Sequence, residues 1–348
     1  MYRLAGWLWG ERSLAARMVR LSLLPASLCY RGVAAARARA HARGWLRHRI
    51  PSVPTIAVGN LTVGGSGKTP IASWIAQYYT GRGIRPGVVL RGYGGDEGLV
   101  HQQRVPEAVV SEGIDRYAAA EAAVRRGAQV VILDDGYQRL DVGRDLNIAV
   151  VSAESGRAVR WTLPAGPWRE PWSALRRADI VIVTRKRATL EAAQGVARRV
   201  RECAPSAGLA IVHLAISGFR TLRSGRAIDA RVVDGAEILA GAGIADPGSL
   251  AAQCRALGAR VRLLPLRDHH PYRDSDVRRL LHAVDALDYV VVTQKDAVKL
   301  QRRWPADAPE PLVALLDLEW EYGRPEFELA LEAAADEITG LFAPEHHP

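Results

Sequence analysis

The chain's 348 residues are 48% apolar and 24% charged, ordinary values for a folded protein and enough length for two domains. Its three cysteines, Cys29, Cys203 and Cys254, lie far apart, which excludes a disulfide framework and a zinc spacing and fits a reducing compartment. The net charge of +10 is lopsided: residues 1–50 hold ten arginines, no lysine and one acid, Glu11, and the remainder is nearly neutral.

That basic segment is also apolar. Leu4, Trp7, Leu8 and Trp9 are followed by Leu14, Met18, Val19, Leu21, Leu23, Leu24, Leu28 and Tyr30, with Arg17 and Arg20 between them and Pro25 as a kink. No run of about twenty uninterrupted apolar residues exists, so a plain transmembrane helix is not secure. Arginines continue through and past the apolar part, which a signal peptide does not do. The pattern suits a helix lying in a membrane interface, or a marginal span with snorkelling arginines, facing the anionic cytoplasmic leaflet. A nucleic-acid-binding arm explains the arginines but not the leucines between them, so a membrane surface is expected and nucleic acid is not.

Thr55-Ile-Ala-Val58 reads as a buried strand and Ile71–Tyr78 as a helix. Between them runs Gly59-Asn-Leu-Thr-Val-Gly-Gly-Ser-Gly-Lys-Thr-Pro70. Strand, glycine loop, Lys-Thr and helix form a phosphate cradle: backbone N–H groups approach the phosphates, Lys68 reaches the β/γ oxygens and the Thr69 hydroxyl can ligate Mg²⁺. Thr62, Val63, Gly64, Gly65, Ser66, Gly67, Lys68 and Thr69 are the expected nucleotide-binding residues. Thr62 departs from the general pattern, which has glycine there. Pro70 fits, since the first helical turn does not use its missing N–H.

Gly87–Leu90 reads as the next strand, and Arg91-Gly-Tyr-Gly-Gly-Asp96-Glu97 as a flexible loop on the sheet's ligand-binding edge. An acid at its end can act as general base for a substrate hydroxyl, although a lone Asp is more often a turn residue. After a helix at Tyr117–Arg126, Val130-Val-Ile-Leu-Asp134-Asp135-Gly136 is an apolar strand ending in two acids, the form of a Mg²⁺-holding Walker B element. Further strands are expected at Ile148–Val151, Ile180–Thr184 and Ile211–Leu214, with a helix at Leu190–Cys203. Leu163-Pro-Ala-Gly-Pro-Trp-Arg169-Glu170-Pro171 reads as a rigid loop in which Glu170 can complete a Mg²⁺ shell and Arg169 can face phosphate. Trp161, Trp168 and Trp172 crowd it.

Around Phe219–Val232 the pattern changes to a hairpin. A second unit follows: strands at Ile238–Gly241, Arg260–Leu264, Tyr289–Thr293 and Leu312–Leu318, and helices at Pro247–Leu257 and Asp274–Leu287. Asp268-His269-His270 follows a strand, and no third metal-ligand spacing accompanies the two histidines. The tail from Ala343 reads as frayed. The fold class is therefore α/β: a P-loop NTPase-like, doubly wound, mostly parallel sheet, a second and smaller α/β domain, and a basic N-terminal membrane-anchor helix. The boundaries are 1–50, 51–218 for the P-loop core, 219–232 for a hairpin hinge and 233–348.

These pieces together resemble one family, the tetraacyldisaccharide 4'-kinases of lipid A biosynthesis. The resemblance rests on Val58–Pro70, Arg91-Gly-Tyr-Gly94, Asp134-Asp-Gly-Tyr-Gln138, Leu163-Pro-Ala-Gly166 with Arg169-Glu-Pro171, Ala242-Gly-Ile-Ala-Asp-Pro247, Asp268-His-His270 and Thr293-Gln-Lys-Asp-Ala-Val-Lys299. They occur in the family's order from about Pro51 to Leu300. The family also carries threonine at the position of Thr62, and a basic apolar N-terminal anchor.

The resemblance implies transfer of the γ-phosphoryl group of ATP, with Mg²⁺, to the 4'-hydroxyl of an acylated glucosamine disaccharide 1-phosphate lipid, giving lipid IV-A. The place is the cytoplasmic face of a bacterial inner membrane. It implies Asp96 as the base, His269 as its partner and Lys68 as the third catalytic residue. Thr69, Asp134, Asp135 and Glu170 map onto the metal region, and Arg91, Arg116, Gln138 and Arg169 onto substrate binding. In the family a long insert separates the motifs that here abut before Asp96, which leaves Asp115 as the alternative base. Arg139 stands where the family has histidine, and Gln294 where it has glutamate. A GTPase or metallochaperone wants a guanine-reading Asn/Thr-Lys-x-Asp, and Thr293-Gln-Lys-Asp296 has the wrong spacing. The remaining alternative is another membrane-associated P-loop kinase or NTPase.

Overall fold

The computed structural model describes residues 7–10, 13–92, 95–157 and 160–341. Leu4, Glu11, the Tyr93-Gly94 part of the glycine loop and the tail expected to fray from Ala343 lie outside the described residues. Helices α1 (Leu14–Ser22) and α2 (Leu24–Ala42) come first, with Pro25 in the opening turn of α2. Pro25 ends no helix there, because a first turn leaves its N–H groups unpaired anyway.

The P-loop half follows as β1 (Thr55–Asn60), α3 (Lys68–Thr80), β2 (Pro86–Leu90), α4 (Asp96–Arg104), β3 (Val109–Glu112), α5 (Arg116–Arg125), β4 (Val130–Asp134), β5 (Leu146–Ser152), β6 (Ile180–Arg185), α6 (Leu190–Cys203) and β7 (Gly208–Thr221). The second half is β8 (Ala227–Asp229), β9 (Glu237–Ala242), α7 (Pro247–Ala256), β10 (Arg260–Pro265), α8 (Asp274–Ala286), β11 (Tyr289–Thr293), α9 (Gln294–Leu300), β12 (Leu312–Tyr322) and α10 (Arg324–Leu341).

Among the described residues all strands join one sheet in the order β10-β9-β11-β12-β7-β6-β5-β1-β4-β2-β3, with β8 paired to β7. Pairing is parallel except where β7 meets β12 and β8. Strands β1, β2, β4 and β5 are buried along their whole length. Helices cover both faces there, which is why the strands read as continuous apolar runs rather than alternating ones.

The two halves share a strand. The first part of β7 pairs with β6, and its far part pairs with β8 and with β12 as far as Leu312↔Thr221. A register shift between Leu315 and Leu316 leaves Ser217 as an extra residue at that joint, a β-bulge that bends the ribbon. The hairpin expected in 219–232 is the β7–β8 pairing, Phe219↔Ile228 and Arg220↔Ala227.

Two features differ from expectation. The stretch carrying Asp96 forms α4 instead of a flexible loop. Val100 and His101 are buried in it, and this tertiary burial overrides a sequence with no apolar stripe. Residues 233–348 do not form a contiguous unit, since α10 packs back on the P-loop helix: Phe327 and Leu331 share a core with Ile71, Ile75 and Tyr79, and Tyr79 Oη donates to the Leu331 carbonyl at 2.6 Å. The antiparallel run of β12 beside β7 carries the chain there. No described helix is long and apolar enough to cross a membrane.

Candidate active site

The phosphate loop leaves β1 and enters α3 through Gly67, whose φ of +91° belongs to the left-handed region. A side chain at Gly67 would also bring its Cβ to 2.4 Å from Leu214 Cδ1. Two residues at the end of the β6 region hold the loop's carbonyls: Thr184 Oγ1 donates to Ser66 O at 2.7 Å and Lys186 Nζ to Gly65 O at 2.8 Å. The other flank is tied to the tryptophan-rich loop. Val63 N donates to Pro167 O at 2.8 Å and Arg169 N to Leu61 O at 2.7 Å, while Thr62 bridges Trp168. Gly64 and Gly65 form the tip, and the hydroxyl of Ser66 is buried with no hydrogen-bond partner among the described residues. Thr69 is buried in the first turn of α3.

The two acids after β4 face different partners. Asp135, at φ +56°, takes Lys68 Nζ at 3.3 Å and Arg169 Nη1 at 2.9 Å. Burial opposes its ionisation, but the Lys68 and Arg169 charges hold its carboxyl down at about 2. Asp134 Oδ2 accepts from His101 Nε2 at 2.9 Å, and its Oδ1 has no partner among the described residues. Its carboxyl is also held below the usual range, the His101 bond outweighing burial.

Asp96 opens α4 and meets the other half. His269 Nδ1 donates to its Oδ2 at 3.1 Å, and Lys299 Nζ of α9 lies 3.0 Å from the same oxygen. Oδ1 is buried without a partner. Burial penalises the charge, yet the His269 and Lys299 bonds keep Asp96 well below the ordinary carboxylate range, and the Asp96 bond raises His269 above its ordinary value. One residue on, Glu97 pairs with Lys295 at 2.6 Å.

The rest of the Thr293–Lys299 motif is structural. Asp296, fully buried, accepts from Gly243 N at 3.1 Å and from Thr293 Oγ1 at 2.6 Å, and His269 N donates to Gly243 O at 3.1 Å. His270 Nε2 pairs with Asp276 in the first turn of α8 at 2.9 Å, whereas His269 meets Asp96.

Other candidates are placed less centrally. Glu170 is paired with Arg177 at 2.5 Å instead of with Asp134 or Asp135. Gln138 Nε2 donates to Asn60 O at 2.8 Å. Arg116 is buried, donates to Gly113 O at 2.6 Å, and lies within electrostatic reach of Asp135 and Asp134. Arg91 is exposed at the mouth of the loop. Asp115 caps α5 and pairs with Arg49 at 2.6 Å, which gives it a role apart from the site.

Among the described residues no group of three or more His, Cys, Asp and Glu side chains could hold a metal by itself. Mg²⁺ does not need one: it is usually held by one or two carboxylates and by substrate phosphates. The free Oδ1 of Asp134 and the Thr69 hydroxyl fit that donor set. Lys295, Lys299, Lys186 and His101 were not singled out in the sequence. The spacing of Lys295 and Lys299, four apart on one helix face, was the available signal for the first two.

Known proteins resemble this chain along most of its length. The family described as Tetraacyldisaccharide-1-P 4'-kinase (LpxK) matches residues 19–336. The "Tetraacyldisaccharide 4'-kinase" of Geobacter sulfurreducens is 35% identical over 94% of this chain and 96% of its own. That of Geobacter metallireducens is 37% identical over 82% and 89%. A crystal structure of LpxK from Aquifex aeolicus in complex with ATP superposes with a TM-score of 0.70 at 24% identity, covering 91% of this chain and 99% of that one. The chain belongs to the tetraacyldisaccharide-1-P 4'-kinase family and is a kinase.

Proposed function

We propose that the chain transfers the γ-phosphoryl group of ATP to the 4'-hydroxyl of tetraacyldisaccharide 1-phosphate on the cytoplasmic face of a bacterial inner membrane. The observation that carries the reading is the meeting of Asp96 from the P-loop half with His269 and Lys299 from the other. Asp96 Oδ1 has no partner among the described residues and is the atom to take the hydroxyl proton. The 4'-oxygen then bonds to the γ-phosphorus, the bond to the β-phosphate oxygen breaks, and ADP leaves. His269 and Lys299 steady the carboxylate, and Lys68 with the amides of Gly64–Thr69 neutralises charge spread over the phosphoryl oxygens.

Thr69 and Asp134 would hold Mg²⁺, with Asp135, next in the chain, and Glu170, if released from Arg177, as further carboxylates. When bound, Mg²⁺ draws charge from the β- and γ-phosphate oxygens. Arg91, Arg116, Gln138 and Arg169 are assigned to substrate contact.

The N-terminal helices support membrane attachment. Leu14, Met18 and Leu21 line the exposed face of α1, while Ala16 and Arg20 turn inward. That is the reverse of a helix packed on a core, and it suits the acyl–headgroup boundary. Ser27 of α2 locks the pair to the tryptophan-rich loop, donating to Thr162 O at 2.9 Å and accepting from Ala165 N at 2.9 Å.

The test is transfer of label from γ-labelled ATP to tetraacyldisaccharide 1-phosphate in detergent micelles with Mg²⁺, beside Lys68→Ala. Lysine-dependent labelling of the lipid is expected. ATP binding without lipid labelling would overturn the acceptor assignment.

A further inference from the structure

His101 has no part in the steps above, yet its ring is sealed in the P-loop half, 0% exposed. Its Nδ1 lies 3.0 Å from Ser73 Oγ and its Nε2 2.9 Å from Asp134 Oδ2. Ser73 and Asp134 are themselves buried. A polar ring in such a place is tolerated only when both nitrogens are satisfied. In the neutral ring one arrangement satisfies both nitrogens: the Ser73 hydroxyl donates to Nδ1, and Nε2–H donates to the carboxylate. It uses one oxygen of Asp134 and leaves the other, Oδ1, as the orphan.

The three residues come from three elements of the site. Ser73 is on α3, five residues after Lys68. His101 is on α4, five residues after Asp96. Asp134 ends β4. A bond from an imidazole N–H to one oxygen of a metal-binding carboxylate fixes which oxygen faces the ion, and losing such an outer partner typically costs about 10–100-fold in metal affinity.

We propose that His101 is a positioning residue: it pins Asp134 by Oδ2 so that Oδ1 alone meets a divalent cation entering with the nucleotide, and it ties that carboxylate to the helix that carries Asp96. The inference rests on the nucleotide-site reading above. Helix α4 then works as a connecting rod. Its first turn is held by Lys299 and Lys295 of the second half, and its middle is held by the nucleotide-side acid.

The test is equilibrium binding of a fluorescent ATP analogue to the full chain, titrated with Mg²⁺ and repeated in EDTA, with circular dichroism as the folding check. His101→Leu should raise the half-saturating Mg²⁺ about 10–100-fold while leaving affinity in EDTA unchanged. His101→Gln, which keeps an N–H donor, should recover most of the loss. Ser73→Ala, which frees the ring without removing its bond to Asp134, should show a smaller shift in the same direction. Parent-like Mg²⁺ dependence in His101→Leu would overturn the inference, as would an equal loss in EDTA. If His101→Leu fails to fold, parent-like dependence in Ser73→Ala does the same. A parent protein that binds the analogue without any Mg²⁺ dependence would bring down the metal reading and the inference together. A Mg²⁺-dependent parent with unaltered variants would bring down the inference alone.

Discussion

Asp134 and Asp96 are both buried, at 3% and 2% exposure, both accept from a histidine, and both keep one oxygen without a partner. They differ in where the partners come from. His101 lies in the same half as Asp134 and is wholly enclosed, whereas His269 and Lys299 reach Asp96 from the other half and keep 33% and 16% of their side chains exposed. The nucleotide-side carboxylate is complete once the P-loop half has folded. The Asp96 carboxylate takes both of its cationic partners from the other half. On the proposed assignment, ATP can load before the base is armed, which limits transfer to water.

The strongest way to break this comparison is Asp96→Asn. Removing a general base should lower turnover by about 10²–10⁴-fold and leave ATP affinity untouched, as measured by steady-state transfer beside equilibrium binding. A matching fall in affinity would mean that the two carboxylates are not separate devices. Next comes Lys299→Met. The loss of one charge-assisted bond corresponds to about 1.5–3 kcal/mol, so a fall in kcat of about 10–100-fold is expected. The acid limb of the pH profile should also move upward, because Asp96 loses a cation that holds its carboxyl low.

A smaller effect follows from pH alone. Asp96 is depressed, so its contribution is present above about 4, the unfolded carboxylate value, and is lost only as pH falls through the lower folded value. His269 is raised, so its contribution is full below about 6.5 and is lost as pH rises through its higher folded value. The contact between halves should therefore loosen above neutrality while the P-loop half is unaffected. Hydrogen exchange in α4 and α9 against β1 and β4 reads this directly; uniform loosening would refute it. The smallest effect belongs to Glu97→Gln. The Glu97–Lys295 pair is about 30% exposed on each side, and such pairs contribute at most about 1 kcal/mol. A few-fold rise in KM with kcat unchanged is expected.

The same division governs what could be read in the sequence. Thr55–Val58, Val130–Leu133 and Ile180–Thr184 were legible because strands covered on both faces are unbroken apolar runs, and the phosphate loop was legible because its chemistry is local. Asp-Glu-Gly-Leu-Val-His-Gln-Gln-Arg104 was not legible as a helix, since its stability comes from Ser73 and Asp134 across the fold rather than from its own pattern. Lys299 was not legible as the neighbour of Asp96, which lies 203 positions upstream in another unit. Glu170 looked like a metal carboxylate beside Arg169, and only the fold reveals Arg177 as its partner. Residues 233–348 looked contiguous because no sequence signal says that β12 returns beside β7.

That return has a consequence for how the protein is made. The core beneath the glycine loop is closed by α10: Tyr79 on α3 donates its buried hydroxyl to the Leu331 carbonyl, 252 residues later. At about 5–20 residues per second, translation separates the two by roughly 13–50 s. Through that interval the Tyr79 end of α3 lacks its cover, while Ile71 and Ile75 can already pack on β1, β2 and β4.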